Sequence, residues 1–441
     1  MCRRTLPSSP AFAAPIKVFW CEHDRRMIML DDLKRVNGLD LLLTLAIVAG
    51  SASFVRFLGI EPSPTRTIFV AYALAGTAGV ALLRRGRGPT TTTWLALGLL
   101  AMAFVGYFAW LPSEGSWISL NIWSEWVLCF AFLVFGIAFG ARRWHVWRTL
   151  LIILAVVVAM LQMAGLVLFQ PLLESRHGQW GPADFYGSRA LHANLAMLMV
   201  AGLVCALRHP ALSTRLRIAV GLLLGVSVMI SQWRTVWLAM FAALVVLGIE
   251  AFRTRRPQGV GPATVAVAAV SVVFLILPSV AGVSLLPGSS VTQVGSVALP
   301  SSATSGETLT WRVEMWQSRL NAPRSLEHIV GGGVLGADNV VYPGTGIMNG
   351  YMSGHNVFLD VYVAAGLIGV ALVVALLTAA LARRGLHQDD VGICVIAAIV
   401  FGLSFFWPPW LWVILGVALS SVHPEARGRD VPSAAFIAES P

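Results

Sequence analysis

The 441 residues are 57% hydrophobic and only 12% charged, with a mean hydropathy of +0.76. Soluble globular chains carry roughly 25% charged residues and disordered ones are poor in apolar residues, so both classes are excluded. An outer-membrane barrel is excluded too, because short segments of period-2 alternation are absent. The net charge of +10 rests on 29 arginines against only Lys17 and Lys34, and their placement marks topology rather than nucleic-acid binding.

In chain order, residues 1–38 lack the continuous apolar core of a signal peptide and read as a cytoplasmic tail, which a start at Met27 or Met29 would shorten. Apolar runs bounded by charge or Gly, Pro and Trp then predict about twelve spans: 39–58, 68–83, 94–111, 126–141, 149–170, 191–208, 217–231, 233–251, 261–281, 356–381, 391–407 and 409–422. The fold class is therefore an all-α polytopic membrane protein. Its membrane domain covers 39–422, a long periplasmic loop (282–355) joins spans nine and ten, and 423–441 is a second cytoplasmic tail. With the N-terminus inside, 23 of the basic residues fall in inner segments and eight outside, as the positive-inside rule requires at each hairpin. Tryptophans at span ends, among them Trp94, Trp110, Trp123, Trp126, Trp144, Trp147, Trp407 and Trp410, read as an interfacial belt. No cysteine falls in an outer loop, so no disulfide or thiol chemistry is expected.

The outer arginines carry the functional signal. Arg56 and Arg66 flank the first outer turn; the others fall in three outer segments. The first segment, 171–190, holds Arg176 and Arg189. Just after it, His192 and Asn194 sit at a span entry, where they either cap a helix or join a site. The second is the tight turn Ser231-Gln232-Trp233-Arg234-Thr235. An arginine entering a span costs ~2.5–3.5 kcal/mol on insertion scales unless paired or facing water, so Arg234 either snorkels at the interface or binds an anion. The third is the long loop, with Arg312, Arg319 and Arg324. Residues 310–319 suit an amphipathic helix that places Arg312, Trp316 and Arg319 on one face and ends at Pro323. A helix lying on the membrane surface would show a similar pattern.

The glycine run 331–336 offers close backbone approach, but no strand precedes it, so it is not a dinucleotide motif. The loop closes on Gly354-His355-Asn356, with Asp360 one helical turn further on. An intramembrane acid is by default functional or paired, and a histidine at the membrane surface suits proton transfer near neutral pH. No metal-ligand spacing connects the outer histidines His177, His192, His328 and His355, and neither a GxSxG nor a P-loop signature occurs.

Taken in order, these elements resemble the O-antigen ligase and polysaccharide polymerase superfamily of bacterial inner-membrane glycosyltransferases. The carrying residues are Ser231-Gln232-Trp233-Arg234-Thr235-Val236-Trp237-Leu238-Ala239, then Trp311-Arg312 with Trp316, the glycine run, and Gly354-His355-Asn356 with Leu359-Asp360, Gly366 and Gly369. His192 and Asn194 resemble the family's His-Lys-Asn element, with Ala193 in place of the lysine. The resemblance covers about residues 185–370. It implies transfer of a glycan from undecaprenyl pyrophosphate to an acceptor hydroxyl at the periplasmic face of the inner membrane, with both termini cytoplasmic and no metal or other cofactor. The acceptor is a lipid-A core for a ligase and another lipid-linked repeat for a polymerase; a protein hydroxyl is a third option. By motif match, Arg234 and Arg312 are the pyrophosphate ligands and His355 the base. Arg189, His192, Asn194, Arg319, Asn356 and Asp360 are supporting candidates. The alternative from a different class is a secondary transporter of a small anion, which predicts broken helices, paired intramembrane acids and an inverted repeat. No repeat is visible.

Overall fold

The computed structural model describes residues 32–58, 60, 63–84, 98, 117–168, 191–231, 233–254, 260–280, 316, 317, 320, 326–331, 341, 342, 346, 347, 356–384, 389–403 and 407–420. The helices are α1 (Gly38–Gly50), α2 (Ala52–Phe57), α3 (Pro64–Arg84), α4 (Trp117–Leu168), α5 (Ala193–Arg208), α6 (Thr214–Ile230), α7 (Arg234–Thr254), α8 (Val260–Val280), α9 (Glu327–Val330), α10 (Val357–Arg384), α11 (Asp390–Gly402) and α12 (Pro409–Leu419). A two-residue hairpin, β1 (Val341–Tyr342) with β2 (Gly346–Ile347), is the only sheet among the described residues. Four helical segments are long and apolar enough to cross a membrane: 64–82, 124–164, 234–253 and 357–383. The other apolar helices, including α1, α5, α11 and α12, are shorter. The expected span 94–111 lies, but for Gly98, outside the described residues.

Two expectations need correction. Residues 142–148, expected as an inner loop, are helical, and α4 is helical throughout its 52 residues. It is not straight, however. The rings of Phe135 and Trp147 stack 5.6 Å apart, whereas twelve residues of straight helix separate Cα atoms by ~18 Å. The chain therefore doubles back between them, and α1 meets both arms. A Cβ on Gly50 would lie 3.0 Å from Leu128 of the first arm, while Leu43, Thr44 and Ile47 share a small cavity with Trp147, Leu151 and Leu154 of the second. The first arm packs backbone to backbone on α12, where a Cβ on Gly416 would meet the Leu133 carbonyl at 2.3 Å. Such small-residue contacts let membrane helices gain van der Waals energy that lipid exposure cannot supply.

The second correction concerns the tryptophans. Trp147, Trp407 and Trp410 are buried inside the bundle rather than lining its rim. Trp147 donates to Asp40 Oδ1 at 2.8 Å and Trp407 to the Ala398 carbonyl at 2.7 Å. Trp147 and Trp407 serve here as hydrogen-bonded core.

At the turn of α4 a polar belt draws on seven helices. Arg143 Nε donates to Asp40 Oδ1 at 3.0 Å, and Arg148 faces Asp390 at 3.6 Å. Arg208 pairs with Glu250, and Arg383 donates to the Leu419 carbonyl. These arginines, expected as topology signals, are therefore also ion-pair partners. Buried Asp40 and Asp390 join Asp360 as acids within the bundle. Asp40 doubles as the N3 residue of a capping box with Asn37.

His209, immediately after α5, is fully buried in this belt. Its Nδ1 accepts from the Ala211 N–H at 3.3 Å, its Nε2 lies 3.1 Å from Thr149 Oγ1, and Asp32 stands 4.0 Å away. Burial lowers its pKa to about 4, Arg148 and Arg217 push the same way, and Asp390 opposes them. An unfolded histidine titrates near 6.5, so His209 contributes stability that is complete above that pH and is lost as the pH falls toward 4. Thermal denaturation in detergent should show about 2 kcal/mol of loss between pH 6.5 and 5 from this group. His209→Gln should flatten that slope; an unchanged slope would show that the acid sensitivity arises elsewhere.

Candidate functional site

The helices that run away from this belt carry the site at their far ends. From Arg208, α5 leads back to His192; α7, whose Glu250 pairs with Arg208, leads back to Arg234. From Asp390, α11 leads to Leu403, whose carbonyl accepts from Asn356 Nδ2 at 3.3 Å. His192, Asn194, Arg234, Asn356 and Asp360 thus gather at the end of the bundle opposite the belt. Arg189, Arg312, Arg319 and His355 lie outside the described residues, as does most of 282–355.

His192 is the N-cap of α5. Its Nδ1 accepts the backbone N–H of Asn194 at 3.3 Å, and an N–H can only donate, so the ring proton sits on Nε2. Ser53 of α2 completes a relay: Asn194 Nδ2 donates to Ser53 Oγ at 3.2 Å, and Ser53 Oγ donates to His192 Nδ1 at 3.2 Å. Capping and site membership, posed as alternatives by the sequence, coincide in one residue.

The turn between α6 and α7 is fixed by three side chains. Ser231 Oγ donates to the Val228 carbonyl at 2.6 Å and Trp237 Nε1 to the same carbonyl at 3.0 Å. Trp233 Nε1 donates to the Leu191 carbonyl at 2.7 Å, with its ring 6.0 Å from that of His192. Within the motif 231–239, then, Ser231, Trp233 and Trp237 are scaffold. Arg234 is the exposed first residue of α7. A cation at that position opposes the helix dipole, at a cost of ~0.3–1 kcal/mol. Helix stability therefore does not explain Arg234. The same helix start offers backbone N–H groups to an anion.

Asn356 caps α10. Its Oδ1 accepts from the N–H groups of Phe358 and Leu359 at 3.0 and 3.2 Å. Asp360 follows one turn later, buried, with its N–H donating to the Asn356 carbonyl at 2.9 Å. Below it α10 breaks at Gly366, whose φ of +63° favours glycine. The break is occupied by α9. A Cβ on Gly366 would lie 2.3 Å from the Ile329 carbonyl, and one on Gly331 (φ +81°) 2.3 Å from the Ala364 carbonyl. The first glycine of the run 331–336 is thus spent on a backbone crossing with α10, the close approach that its composition suggests. Beside the crossing, His328 Nδ1 hydrogen-bonds the Tyr362 hydroxyl.

Sequence reasoning missed Ser53, Trp233 as an anchor, and the His328–Tyr362 pair. The Ser51-Ala52-Ser53 interruption of an apolar run was a usable signal for the first; nothing in the spacing pointed to the last. Among the described residues no cluster of three or more His, Cys, Asp or Glu forms a metal site.

No curated protein and no solved structure matches the chain. Residues 219–374 match the O-antigen ligase family model. That span runs from α6 through most of α10 and includes the Arg234 turn, the α9 crossing and the Asn356 cap. Over this stretch, about a third of its length, the chain is similar to the O-antigen ligase family.

Proposed function

We propose that the chain transfers a glycan from undecaprenyl pyrophosphate to an acceptor hydroxyl at the periplasmic face of the bacterial inner membrane. The observation that carries this reading is Arg234: an exposed arginine held at a helix start against the dipole, in a turn pinned by two indoles, within the stretch similar to the O-antigen ligase family. In the reaction the acceptor oxygen attacks the anomeric carbon and the bond from that carbon to the phosphate oxygen breaks. The electron pair leaves with the pyrophosphate, whose charge Arg234 and Arg312 stabilise by bidentate contacts. His355 takes the acceptor's proton. Arg189, Arg319, His192, Asn194, Asn356 and Asp360 support the two substrates, and the arginines make a metal unnecessary. The acceptor is a lipid-A core, a second lipid-linked repeat or a protein hydroxyl.

The break in α10 is a trait shared with transporters of small anions. Here α9 backbone packs into it and leaves no room for even a methyl group, which favours the enzyme. Purified protein in liposomes, given lipid-linked glycan and acceptor in excess EDTA, should form product and release undecaprenyl pyrophosphate. Complete loss of activity, restored by a divalent ion, would reject the arginine-only account.

The twelve-span arrangement belongs to this proposal, with both tails and the polar belt cytoplasmic. In a cysteine-free background, Val340→Cys should react with an impermeant thiol reagent in intact cells with an opened outer membrane. Gly88→Cys should react only after the inner membrane is lysed. The reverse pattern would place the candidate site on the wrong side.

A further inference from the structure

Asn194 Oδ1 is buried with no hydrogen-bond partner among the described residues. The other end of the amide is committed to Ser53 Oγ, so the acceptor is held in one direction. A buried acceptor left unsatisfied costs about 1–3 kcal/mol, and a fold keeps such a group where something fills it. A second buried amide lies level with it. Thr149 stands opposite His209, and Ala155 opposite Gly202, so the second arm of α4 runs antiparallel to α5. Seven residues beyond Ala155 brings Gln162 level with Leu195, next to Asn194, and both side-chain amide atoms of Gln162 are buried without partners.

The surroundings define the missing partner's chemistry. Trp233 is half-buried and its indole is pinned by Leu191, so its flat face has a fixed orientation beside His192. His192 is exposed and carries its proton on Nε2, a donor. Ser53 is buried and acts as both donor and acceptor. Neutral donors and acceptors with an aromatic face and no carboxylate suit a hydroxyl-rich, uncharged ring. The next residue along the chain, Arg234, suits an anion.

We infer that the corner of Ser53, His192, Asn194 and Trp233 is a saccharide subsite. It holds the donor sugar attached to the phosphate that Arg234 binds, with a sugar hydroxyl donating to Asn194 Oδ1. This rests on the lipid-pyrophosphate reading above.

The test measures binding to the purified full chain in nanodiscs with two probes. These are synthetic undecaprenyl pyrophosphate without sugar, and lipid-linked glycan extracted from the membranes that make this protein. Wild type should prefer the glycan-bearing lipid. Asn194→Leu, close in volume and apolar, should reduce that preference about tenfold, the loss of one buried hydrogen bond. Ser53→Ala, which frees the amide to turn, should reduce it in the same direction. If the unpaired oxygen is only a local cost, Asn194→Leu will raise the thermal midpoint and leave the preference intact, which overturns the subsite. Unchanged preference in both variants, with both lipids bound, rejects the subsite alone. Wild type that binds neither lipid rejects the donor reading and the subsite together.

Discussion

Replacing His355 by alanine is expected to lower glycan transfer about 10²–10⁴-fold, the usual contribution of a positioned general base, while donor binding survives. A sugar hydroxyl is a poor nucleophile until its proton is removed, whereas pyrophosphate is already a good leaving group. The base therefore acts on the acceptor half of the reaction. Donor affinity, measured at equilibrium with undecaprenyl-pyrophosphate glycan, should stay within a few-fold of wild type, so the defect falls on turnover. The neighbouring Asn356 has a separate duty as the cap of α10 and its tie to Leu403. Asn356→Ala should consequently lower thermal stability by about 1 kcal/mol without reproducing the His355 profile. A His355→Ala protein that folds normally and retains full transfer would remove the base assignment.

The arginines should fail differently. Arg234→Ala and Arg312→Ala are each expected to weaken donor binding as well as turnover, because a phosphate contact exists in both ground and transition states. Loss of one charge-assisted bidentate contact corresponds to about 10–100-fold in affinity, with a further drop in rate as charge develops on the leaving group. Lysine at either position should rescue only part, since an ammonium cannot reproduce the guanidinium fork. For Arg234 the prediction has an internal control. Removing a cation from the start of α7 relieves its opposition to the dipole by ~0.3–1 kcal/mol, so Arg234→Ala should remain folded at the assay temperature, with its thermal midpoint measured beside binding. A variant that loses binding because it unfolds would show the opposite, and one that binds donor normally would show that Arg234 only snorkels at the interface.

The helices were legible because apolar runs and their charged borders are local signals. The described helices begin and end within a few residues of the expected runs in most cases: α5, α6, α7 and α8 correspond to 191–208, 217–231, 233–251 and 261–281. The exceptions are places where tertiary contact decides. Arg142-Arg143 and Arg148 looked like loop residues because charge is costly in lipid. Asp40 and Asp390 neutralise Arg143 and Arg148 across helices distant in sequence, so the turn stays helical. Trp407 and Trp410 carried the composition of a rim, and only packing against α4 and α11 buries them. At the site, Arg234 was legible from its position in a span. Ser53 was marked only by the polar interruption of an apolar run, and its role exists only once α2 meets α5, some 140 residues later.

The backbone crossing of Gly331 with Gly366 bears on any attempt to redirect specificity by exchanging outer segments between related enzymes. A contact made of main chain on both sides has no side chain that can be trimmed to absorb a mismatch, and each partner excludes even a methyl group on the other. Residues 326–331 and the stretch around Gly366 are thus inherited as one part. A chimera that imports either without its counterpart should assemble poorly whatever sugars its remaining residues are suited to bind. One whose junctions fall inside 332–355 leaves the crossing intact.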